Sequence, residues 1–464
     1  MPDVYLLMKL SAPDTAPVAR PPVERLLHPF QTFIEGGVSG GLVLLLFTIT
    51  ALVWMNSPYA ESYRSLLHVE ITLGIDRFRL TRDLHFWINE ALMTIFFFVV
   101  GLEIKRELLV GELASPRRAA LPILAAVGGA AAPALIYLLL NAGGPGANGW
   151  GIPMATDIAF VLGVMAIAGK SAPVGLHIFL VALAIVDDIL AVLVIALFYT
   201  SHIEWGSLVW AAYCMALLAG ANRLGIRHPM VYGLLGALLW ITVLKSGIHA
   251  TVAGVALALT VPTRTWLDTR QFLVRGRRLL DHFERAAGDE KSIMNGEEQQ
   301  AALKALEEAC EKVQTPLLRM EHALHPWVTF AILPLFALAN AGVAMDVGAA
   351  AALAQPVSLG IIAGLLLGKP LGITAAAYLA VRTGLASLPA DVSWRQIHAA
   401  GWIAGIGFTM SLFLADLAFQ DEARLGMAKT GILTASAAAG LIGAGLLLAG
   451  TNSRRVSPAG SARA

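Results

Sequence analysis

The sequence predicts an all-α polytopic membrane protein, and three observations support that fold class. Hydrophobic residues make up 57% of the 464 residues and charged residues only 14%, whereas an average soluble domain carries about 25% charged residues. The mean hydropathy is +0.69. The apolar residues are grouped in runs of roughly 20, the length of a membrane-spanning helix. A net charge of +1 argues against a nucleic-acid partner and leaves the lipid bilayer as the expected environment.

Twelve apolar runs are candidate spans, which predicts about 12 transmembrane helices. They lie near residues 38–56, 86–109, 118–141, 151–169, 176–200, 206–221, 229–244, 248–262, 326–344, 357–381, 398–418 and 428–450. An even number of spans places both termini on one side of the membrane. Lys and Arg are concentrated in the links after spans two, six and ten. The positive-inside tendency therefore predicts that these links and both termini are cytoplasmic, with the charged link after span one as an exception.

The predicted spans and the polar segments between them divide the chain into consecutive regions. They are a tail at residues 1–36, spans one to eight within 37–262, a polar insertion at 263–324, spans nine to twelve within 325–450, and a tail at 451–464. The first tail has no cleaved-signal pattern. The insertion is predicted to be cytoplasmic, either as a regulatory or partner-binding segment or as a solvated linker with amphipathic helices. The two cysteines, Cys214 and Cys310, predict no disulfide framework.

The link after span one predicts a small β-hairpin outside the membrane, near residues 67–82. From Val69 to Leu80, apolar and polar residues alternate around a Gly-Ile-Asp turn, as in a half-buried strand pair. An irregular loop is the alternative. Because an isolated hairpin is only marginally stable in water, it needs a partner surface, and a second copy of the chain is one candidate.

Span five contains two adjacent carboxylates, Asp187 and Asp188, in the middle of an apolar helix. A charged residue at that depth costs about 2.5–3.5 kcal/mol on insertion scales. A pair is therefore tolerated only beside water, a counter-charge or a bound cation. The sequence predicts a cation site here, with one carboxylate holding a counter-ion while the other takes up and releases protons.

Two other spans are interrupted in ways that predict broken helices. Span four contains Pro153 and the pair Thr156-Asp157, and span eleven contains Gly405, Gly407 and Thr409 within GIGFTMS. Non-helical backbone at membrane depth is tolerated only where it lines protein or a water-filled cavity. Paired breaks in the two halves of a chain point to an inverted-repeat transporter. Glycines that serve only close helix packing are the alternative for span eleven.

Span ten places Lys369 inside an apolar segment next to Pro370. A lysine at this depth needs a carboxylate partner, for which Asp187 and Asp188 are both candidates, unless its side chain reaches the membrane surface. Four further titratable residues lie near predicted span ends and are candidates for a pH response, with ordinary interfacial charges as the alternative. They are Glu103, His249, Glu321 and His325.

The motifs ATDIAF, ALAIVDDILA, LLLGKPLGI, GIGFTMS, GLEIKREL and LKSGIHAT, spread from about Phe30 to Gly450, resemble those of the NhaA-type sodium/proton antiporter family. The resemblance implies inverted repeats formed by spans three to five and ten to twelve, with the broken helices crossing near the midplane. It also implies that Asp187, Asp188 and Thr156 bind Na⁺ or Li⁺ transiently. By the same resemblance Lys369 pairs with Asp187, and Asp157 compensates the opposed helix ends.

The resemblance further implies a homodimer joined through the periplasmic hairpin, a location in the bacterial inner membrane, and no cofactor beyond the transported Na⁺, Li⁺ and H⁺. The activity expected from it is electrogenic, pH-dependent sodium(lithium)/proton antiport by a secondary transporter rather than an enzyme. Glu90 stands where many relatives have Asp. A sodium-coupled solute symporter is the alternative. An intramembrane aspartyl protease using Asp157 and Asp188 is a further one, although it lacks the usual Gly-x-Gly-Asp context.

Overall fold

A computed structural model of the chain describes residues 39–74, 79–168, 172–200, 203–265, 268–286, 297–345 and 351–452. The predicted tails therefore lie almost wholly outside the described residues. The sixteen helices numbered here are as follows: α1 Ser39–Met55, α2 Ala60–Leu67, α3 Leu84–Val110, α4 Pro116–Asn141, α5 Ile158–Ala168, α6 Val174–Phe198, α7 Trp205–Arg223, α8 Pro229–Ser246, α9 Thr251–Thr260, α10 Thr269–Ala286, α11 Glu297–Val313, α12 Pro316–Asn340, α13 Pro356–Arg382, α14 Trp394–Ala404, α15 Phe408–Ala418 and α16 Glu422–Asn452.

The helical membrane-protein prediction is confirmed at the level of fold class. Eight helical segments in the described chain are long and apolar enough to cross a bilayer, or up to ten if two bent helix pairs each count as one span. One bent pair is α14 and α15, which meet at 46°. Every predicted span coincides with a helical segment, including the short α9. The helix of span nine begins at Pro316, within the segment that was predicted to be a polar insertion.

A two-stranded antiparallel sheet follows α2. Strand β1 (Glu70–Leu73) pairs with β2 (Leu80–Asp83), and Glu70 lies opposite Asp83. The Gly-Ile-Asp turn predicted for this hairpin falls mostly at residues 75–78, outside the described residues. The indole Nε1 of Trp87 donates a hydrogen bond to the Ile71 carbonyl at 3.2 Å, which ties the hairpin to the first turn of α3. We call this end of the helices the hairpin end.

The other end carries the amphipathic helices α10 and α11, which pack on each other. We call it the insertion end. Helix α9 runs toward it and α12 starts from it, so the insertion is a helical hairpin between two spans.

The helices form two packed groups. The crossing bundle contains α4, α5, α6, α13, α14, α15 and α16 together with the 3₁₀ helix Ala147–Met154. The flanking bundle contains α1, α3, α7, α8, α9 and α12. Small residues let α4 and α13 approach closely: a Cβ on Gly128 would lie 2.5 Å from the Gly372 carbonyl oxygen. The helix that carries Lys369 is therefore held tightly against α4.

Candidate ion-binding site

Two unwound segments lie against each other inside the crossing bundle, and we call the place where they meet the crossing. The first, Ala155–Asp157, separates the 3₁₀ helix from α5, and the second separates α14 from α15. The backbone N–H of Asp157 donates to the Ile406 carbonyl at 2.7 Å. Their contact satisfies backbone groups that an unbroken helix would have paired internally. Both interruptions predicted from the sequence are thus present.

Glycine is required in the second segment because the backbones come so close. A Cβ on Gly407 would lie 3.1 Å from the Ala155 carbonyl oxygen and 2.2 Å from the Ser411 hydroxyl, and one on Gly405 would lie 2.6 Å from the Leu365 carbonyl oxygen. The two interpretations of these glycines, a helix break and close packing, are therefore both correct, because the helix breaks at the place where it packs closely.

Asp157 caps the N-termini of two helices at once. Its Oδ1 accepts from the backbone N–H groups of Ala159 at 3.1 Å and Phe160 at 3.2 Å, in the first turn of α5. Its Oδ2 accepts from the backbone N–H of Thr409 at 2.9 Å and from the Thr409 hydroxyl, at the start of α15. Because helix N-termini carry partial positive charge, one buried carboxylate compensates both.

Lys369 lies at the same crossing but contacts the C-terminal end of a helix, which carries partial negative charge. Its ammonium donates to the Met154 carbonyl at 2.5 Å, the C-terminal end of the 3₁₀ helix, and to Asp187 Oδ2 at 2.6 Å. Both side chains of the pair are 0% exposed. The lysine therefore satisfies a helix C-terminus and a carboxylate together, and of the two candidate partners it is Asp187 that it contacts.

The turn before Lys369 is wider than an α-helical turn. Residues Gly364–Gly368 form a π-helical turn, and Pro370 follows Lys369 directly. Proline has no N–H, and its ring clashes with the carbonyl four residues earlier, so a regular α-helix cannot continue through it. A π turn absorbs that conflict and fixes the direction in which Lys369 leaves the helix.

The Thr156 hydroxyl has two acceptors within reach but only one proton to give. It lies 2.5 Å from Asp187 Oδ2 and 3.0 Å from the Ala404 carbonyl oxygen. A threonine hydroxyl donates once and accepts through its lone pairs. When the proton points to Ala404, the hydroxyl oxygen is free to face a cation beside Asp187.

The carboxylates retain oxygen atoms for a ligand. Asp187 Oδ1 is buried without a hydrogen-bond partner in the described structure, and Asp188 is 3% exposed on the next position of α6. Its charged surroundings are the carboxylates Asp187, Glu103 and Asp157 and the ammonium of Lys369. Such a buried oxygen has a lone pair available to a water molecule or a cation.

A second charged cluster lies at the insertion end of α3 and α12. Arg106 Nη1 lies 2.7 Å from Glu321 Oε1, and His325 Nδ1 lies 3.8 Å from Glu103 Oε1. Glu321 is 4% exposed, and its Oε2 is one of the few buried oxygen atoms without a partner among the described residues. Three of the four pH-response candidates are thus brought together here.

The fourth candidate, His249, lies at the hairpin end rather than beside the other three. Its Nε2 is 2.9 Å from the Tyr199 carbonyl oxygen and its Nδ1 is 3.9 Å from Glu90 Oε1. Glu90 precedes Glu103 by 13 positions of α3, about 20 Å along a helix. The structure therefore places His249 away from the other three pH-response candidates.

Another polar group, which was not predicted from the sequence, lies at the hairpin end. Asn89, Asn340 and Asp416 come together there from α3, α12 and α15. Asp416 offered a signal, since it is a carboxylate inside the apolar run 398–418. No group of three or more His, Cys, Asp and Glu side chains in the described residues is placed to hold a metal ion.

Known proteins resemble this chain over nearly its whole length. A sequence model of the family described as Na⁺/H⁺ antiporter 1 matches residues 31–447. The Na(+)/H(+) antiporter NhaA of Koribacter versatilis is 51% identical over 442 residues, covering 94% of this chain and 96% of that protein. The chain belongs to the NhaA-type sodium/proton antiporter family.

Further members of the NhaA-type family show similar coverage. The Na(+)/H(+) antiporter NhaA of Oleidesulfovibrio alaskensis is 48% identical over 430 residues, 93% of this chain and 96% of that protein. The Na(+)/H(+) antiporter NhaA 1 of Saccharophagus degradans is 47% identical over 421 residues, 90% of this chain and 91% of that protein. The family resemblance inferred from the motifs is confirmed, and NhaA-type proteins are transporters rather than enzymes.

Proposed function

We propose that the chain is an electrogenic, pH-dependent antiporter that exports Na⁺ or Li⁺ in exchange for protons. The observation that carries the proposal is the pair Asp187 and Asp188 beside two unwound helices, with Asp187 Oδ1 left without a partner among the described residues. Small hard cations bind carboxylate, hydroxyl and carbonyl oxygens. Those are the oxygens that converge at the crossing.

The proposed exchange is a competition for one site. A cation entering from the cytoplasm replaces protons on Asp188 and on the Asp187–Lys369 pair. The Thr156 hydroxyl then turns its proton from Asp187 to the Ala404 carbonyl and presents its oxygen to the cation. Protons arriving from outside reverse these steps. Because protons and cations share the carboxylates, exchange should fall as the cytoplasm becomes acidic.

Movement of the crossing bundle against the flanking bundle would expose the loaded site to the other side. Asp157 keeps the N-termini of α5 and α15 electrically balanced while they move, because its carboxylate accepts hydrogen bonds from both within the crossing bundle. If more protons enter than cations leave, the exchange carries net charge, and the membrane potential drives export.

The finer architecture is part of the same proposal. The chain would cross the bacterial inner membrane twelve times, with both termini and the insertion end cytoplasmic, as the distribution of Lys and Arg favours. Spans three to five and ten to twelve would be inverted repeats that cross near the midplane. Each set contains one broken helix between unbroken ones, and the two breaks contact each other.

The hairpin would join two copies of the chain at the outer surface. Its strands have only four residues each, and Leu73 is 55% exposed. A pair so short gains stability from a further strand or surface. Replacing residues 72–81 with a short glycine linker should lower the mass in detergent from dimer to monomer in light scattering. An unchanged dimer would remove the hairpin from the interface.

The decisive experiment is cation-induced collapse of a preformed proton gradient in proteoliposomes that contain only this protein. Addition of Na⁺ or Li⁺ should collapse the gradient, and Asp187→Asn or Asp188→Asn should abolish the response while the protein stays in the membrane. The matched control is Asp281→Asn, which changes an exposed carboxylate on α10 and should leave exchange intact. Exchange retained by either site variant would overturn the assignment.

The alternatives make different predictions in the same assay. A sodium-coupled symporter would respond to Na⁺ only when an organic solute is supplied. A protease with Asp157 and Asp188 as its acid/base pair is disfavoured by geometry. Both Asp157 oxygens already accept hydrogen bonds from helix N-termini, so this carboxylate is not available to share a proton with a second one.

A further inference from the structure

The polar group at the hairpin end forms a continuous hydrogen-bond network. Asn89 Nδ2 donates to Asp416 Oδ2 at 2.8 Å, and Asn340 Nδ2 donates to Asn89 Oδ1 at 2.8 Å. His85 Nε2 lies 3.2 Å from Asn340 Oδ1. Asn89 is 5% exposed and Asn340 is 0% exposed. The bond between the two asparagines is buried and the bond to Asp416 is partly buried, and a hydrogen bond shielded in this way is costly to break without replacement.

One bond of this network joins the two bundles. Asn89 and Asn340 belong to α3 and α12 of the flanking bundle, whereas Asp416 belongs to α15 of the crossing bundle. The bond from Asn340 fixes the orientation of the Asn89 amide, because an amide whose oxygen accepts from Asn340 turns its NH₂ toward Asp416. The donor is therefore held in place before it meets the carboxylate.

An aromatic layer lies beneath the network on the same three helices. The ring centroid of Phe413 is 5.5 Å from that of Phe97 and 6.2 Å from that of Phe336. The three rings are no more than 1% exposed. Along α15 the order is Thr409 at the crossing, then Phe413, then Asp416. The network thus closes the seam between the bundles on the hairpin side of the ion site.

Other charged groups face Asp416 from neighbouring elements. The Lys429 ammonium of α16 acts on it electrostatically, and His85 of α3 lies one turn before Asn89. Lys429 belongs to the same bundle as Asp416, so its attraction does not change when the bundles move apart. At the insertion end, by contrast, the pairs Arg106–Glu321 and Glu103–His325 connect α3 with α12 inside the flanking bundle.

We propose that the Asn89–Asp416 hydrogen bond is a latch that holds the hairpin side of the transporter closed while the ion site faces the other side. Asn89 and Asp416 are positioning residues, since neither touches the ion site. The inference rests on the proposed function, because exposing the site to the hairpin side requires the two bundles to separate at this seam. Loss of the latch shifts the population toward the state that is open on the hairpin side.

The test measures opening directly, with a cysteine placed below the latch. Leu412 is 0% exposed and lies on the face of α15 that carries Thr409 and Asp416, three and four positions away. The reporter is Leu412→Cys in a chain whose only two cysteines are replaced, Cys214→Ser and Cys310→Ser. A membrane-impermeant maleimide is added at pH 8 to right-side-out vesicles, and the labelling rate is recorded.

The expected result is faster labelling when the latch is removed. A hydrogen bond to a charged group supports an increase on the order of tenfold for Asp416→Ala. Asn89→Asp should label faster still, because two carboxylates then face each other across the seam. The swap Asn89→Asp with Asp416→Asn restores one donor and one acceptor, and it should return labelling to the parental rate. An unchanged rate in either single variant, or no recovery in the swap, would overturn the latch.

Two further measurements separate the latch from other effects. Asn141→Ala removes an amide that is also 5% exposed, but its bond to the Pro356 carbonyl at 2.9 Å lies within the crossing bundle. Labelling should not change in this control, and an increase would overturn the latch.

Exchange should persist in the latch variants with a higher KM for Na⁺ on the cytoplasmic side. Labelling does not depend on exchange. If the variants label as expected but the parent protein never exchanges Na⁺, the proposed function is refuted while the latch is supported.

Discussion

The crossing and the insertion-end cluster both pair basic and acidic side chains, but they differ in burial and in what else the charges contact. At the crossing, Lys369 and Asp187 are 0% exposed, and Lys369 also holds the end of a broken helix. At the insertion end, the Arg106 side chain is 25% exposed and the His325 side chain 60%. Removing one partner of a fully buried pair leaves an uncompensated charge, whereas water can solvate the basic side chain that remains when a partly exposed pair loses its acid. The crossing should therefore determine whether exchange occurs, and the insertion-end cluster should set the pH range in which it occurs.

The largest effect is expected for Lys369→Met, which would remove the cation of the buried pair. Asp187 would lose its ammonium partner and the Met154 carbonyl would lose its donor. The free energy of unfolding should fall by about 3–5 kcal/mol, and exchange should disappear. Lys369→Arg keeps the charge and serves as the control. Thermal unfolding in detergent measures the first effect and proteoliposome exchange the second. Full exchange by Lys369→Met would show that the crossing does not need this pair.

A smaller effect is expected for Asp157→Ala, which would uncap α5 and α15 without removing an ion ligand. With two caps lost at roughly 1 kcal/mol each, unfolding should become about 2 kcal/mol easier. Asp157→Asn should be intermediate, because its oxygen can serve one helix while its NH₂ faces the N–H groups of the other. Equal thermal stability of all three proteins would contradict a double cap.

The insertion-end cluster should change the pH dependence of exchange rather than its maximum. Glu321→Gln would remove the partner of Arg106 and one carboxylate from the cluster. The maximal rate should stay within about threefold, because the Arg106 side chain that is left is 25% exposed and can be solvated by water, while the pH at half-maximal rate shifts. Glu308→Gln on α11 is the control and should leave the profile unchanged. Loss of exchange at every pH would place Glu321 with the crossing instead.

The smallest effect is expected at the solvent-exposed cap of α16. Hydrogen bonds from the Arg424 backbone N–H and guanidinium lower the pKa of Asp421. A lowered pKa stabilises the fold at pH above the ordinary value of about 3.9, and that contribution is lost as pH falls through the lowered value. The melting temperatures of the parent and Asp421→Asn should differ slightly at pH 7 and converge below pH 4 or so, with exchange unaffected. A difference that grows on acidification would reverse the expected sign.

Much of the crossing could be predicted from the sequence because its residues violate local expectations. Carboxylates, a lysine and helix-breaking residues are conspicuous inside apolar runs, so Asp187, Asp188, Lys369 and both interruptions were found. Two of the three π-helical turns in the described part of the chain also left a signal. Gly364–Gly368 lies just before Pro370, and Val328–Ile332 lies just before Pro334.

The remaining features depend on which helices pack together. The bond between Lys369 and Met154 joins residues 215 positions apart, and that between Asn89 and Asp416 spans 327. No local pattern encodes such partners. The sequence did not show that His249 lies away from the other three pH-response candidates for the same reason, since residue type indicates titration chemistry but not the end of a helix to which a loop returns. Asn89 and Asn340 were passed over because a single amide in an apolar helix is unremarkable until its partner is known.

The pairing of Lys369 with Asp187 also has a consequence for biosynthesis. The two residues are 182 positions apart, and the carboxylate is made first. At about 5–20 residues per second, the ribosome delivers the lysine roughly 10–40 s after the aspartate. During that interval α6 is in the membrane without its counter-charge. The unwound segment before α5 also lacks its partner, because the segment between α14 and α15 has not yet been made. Helix α13 and the helices after it therefore supply the counter-charge and the second unwound segment that the preceding helices lack, so a nascent chain truncated before α13 should be a preferred target for membrane quality control.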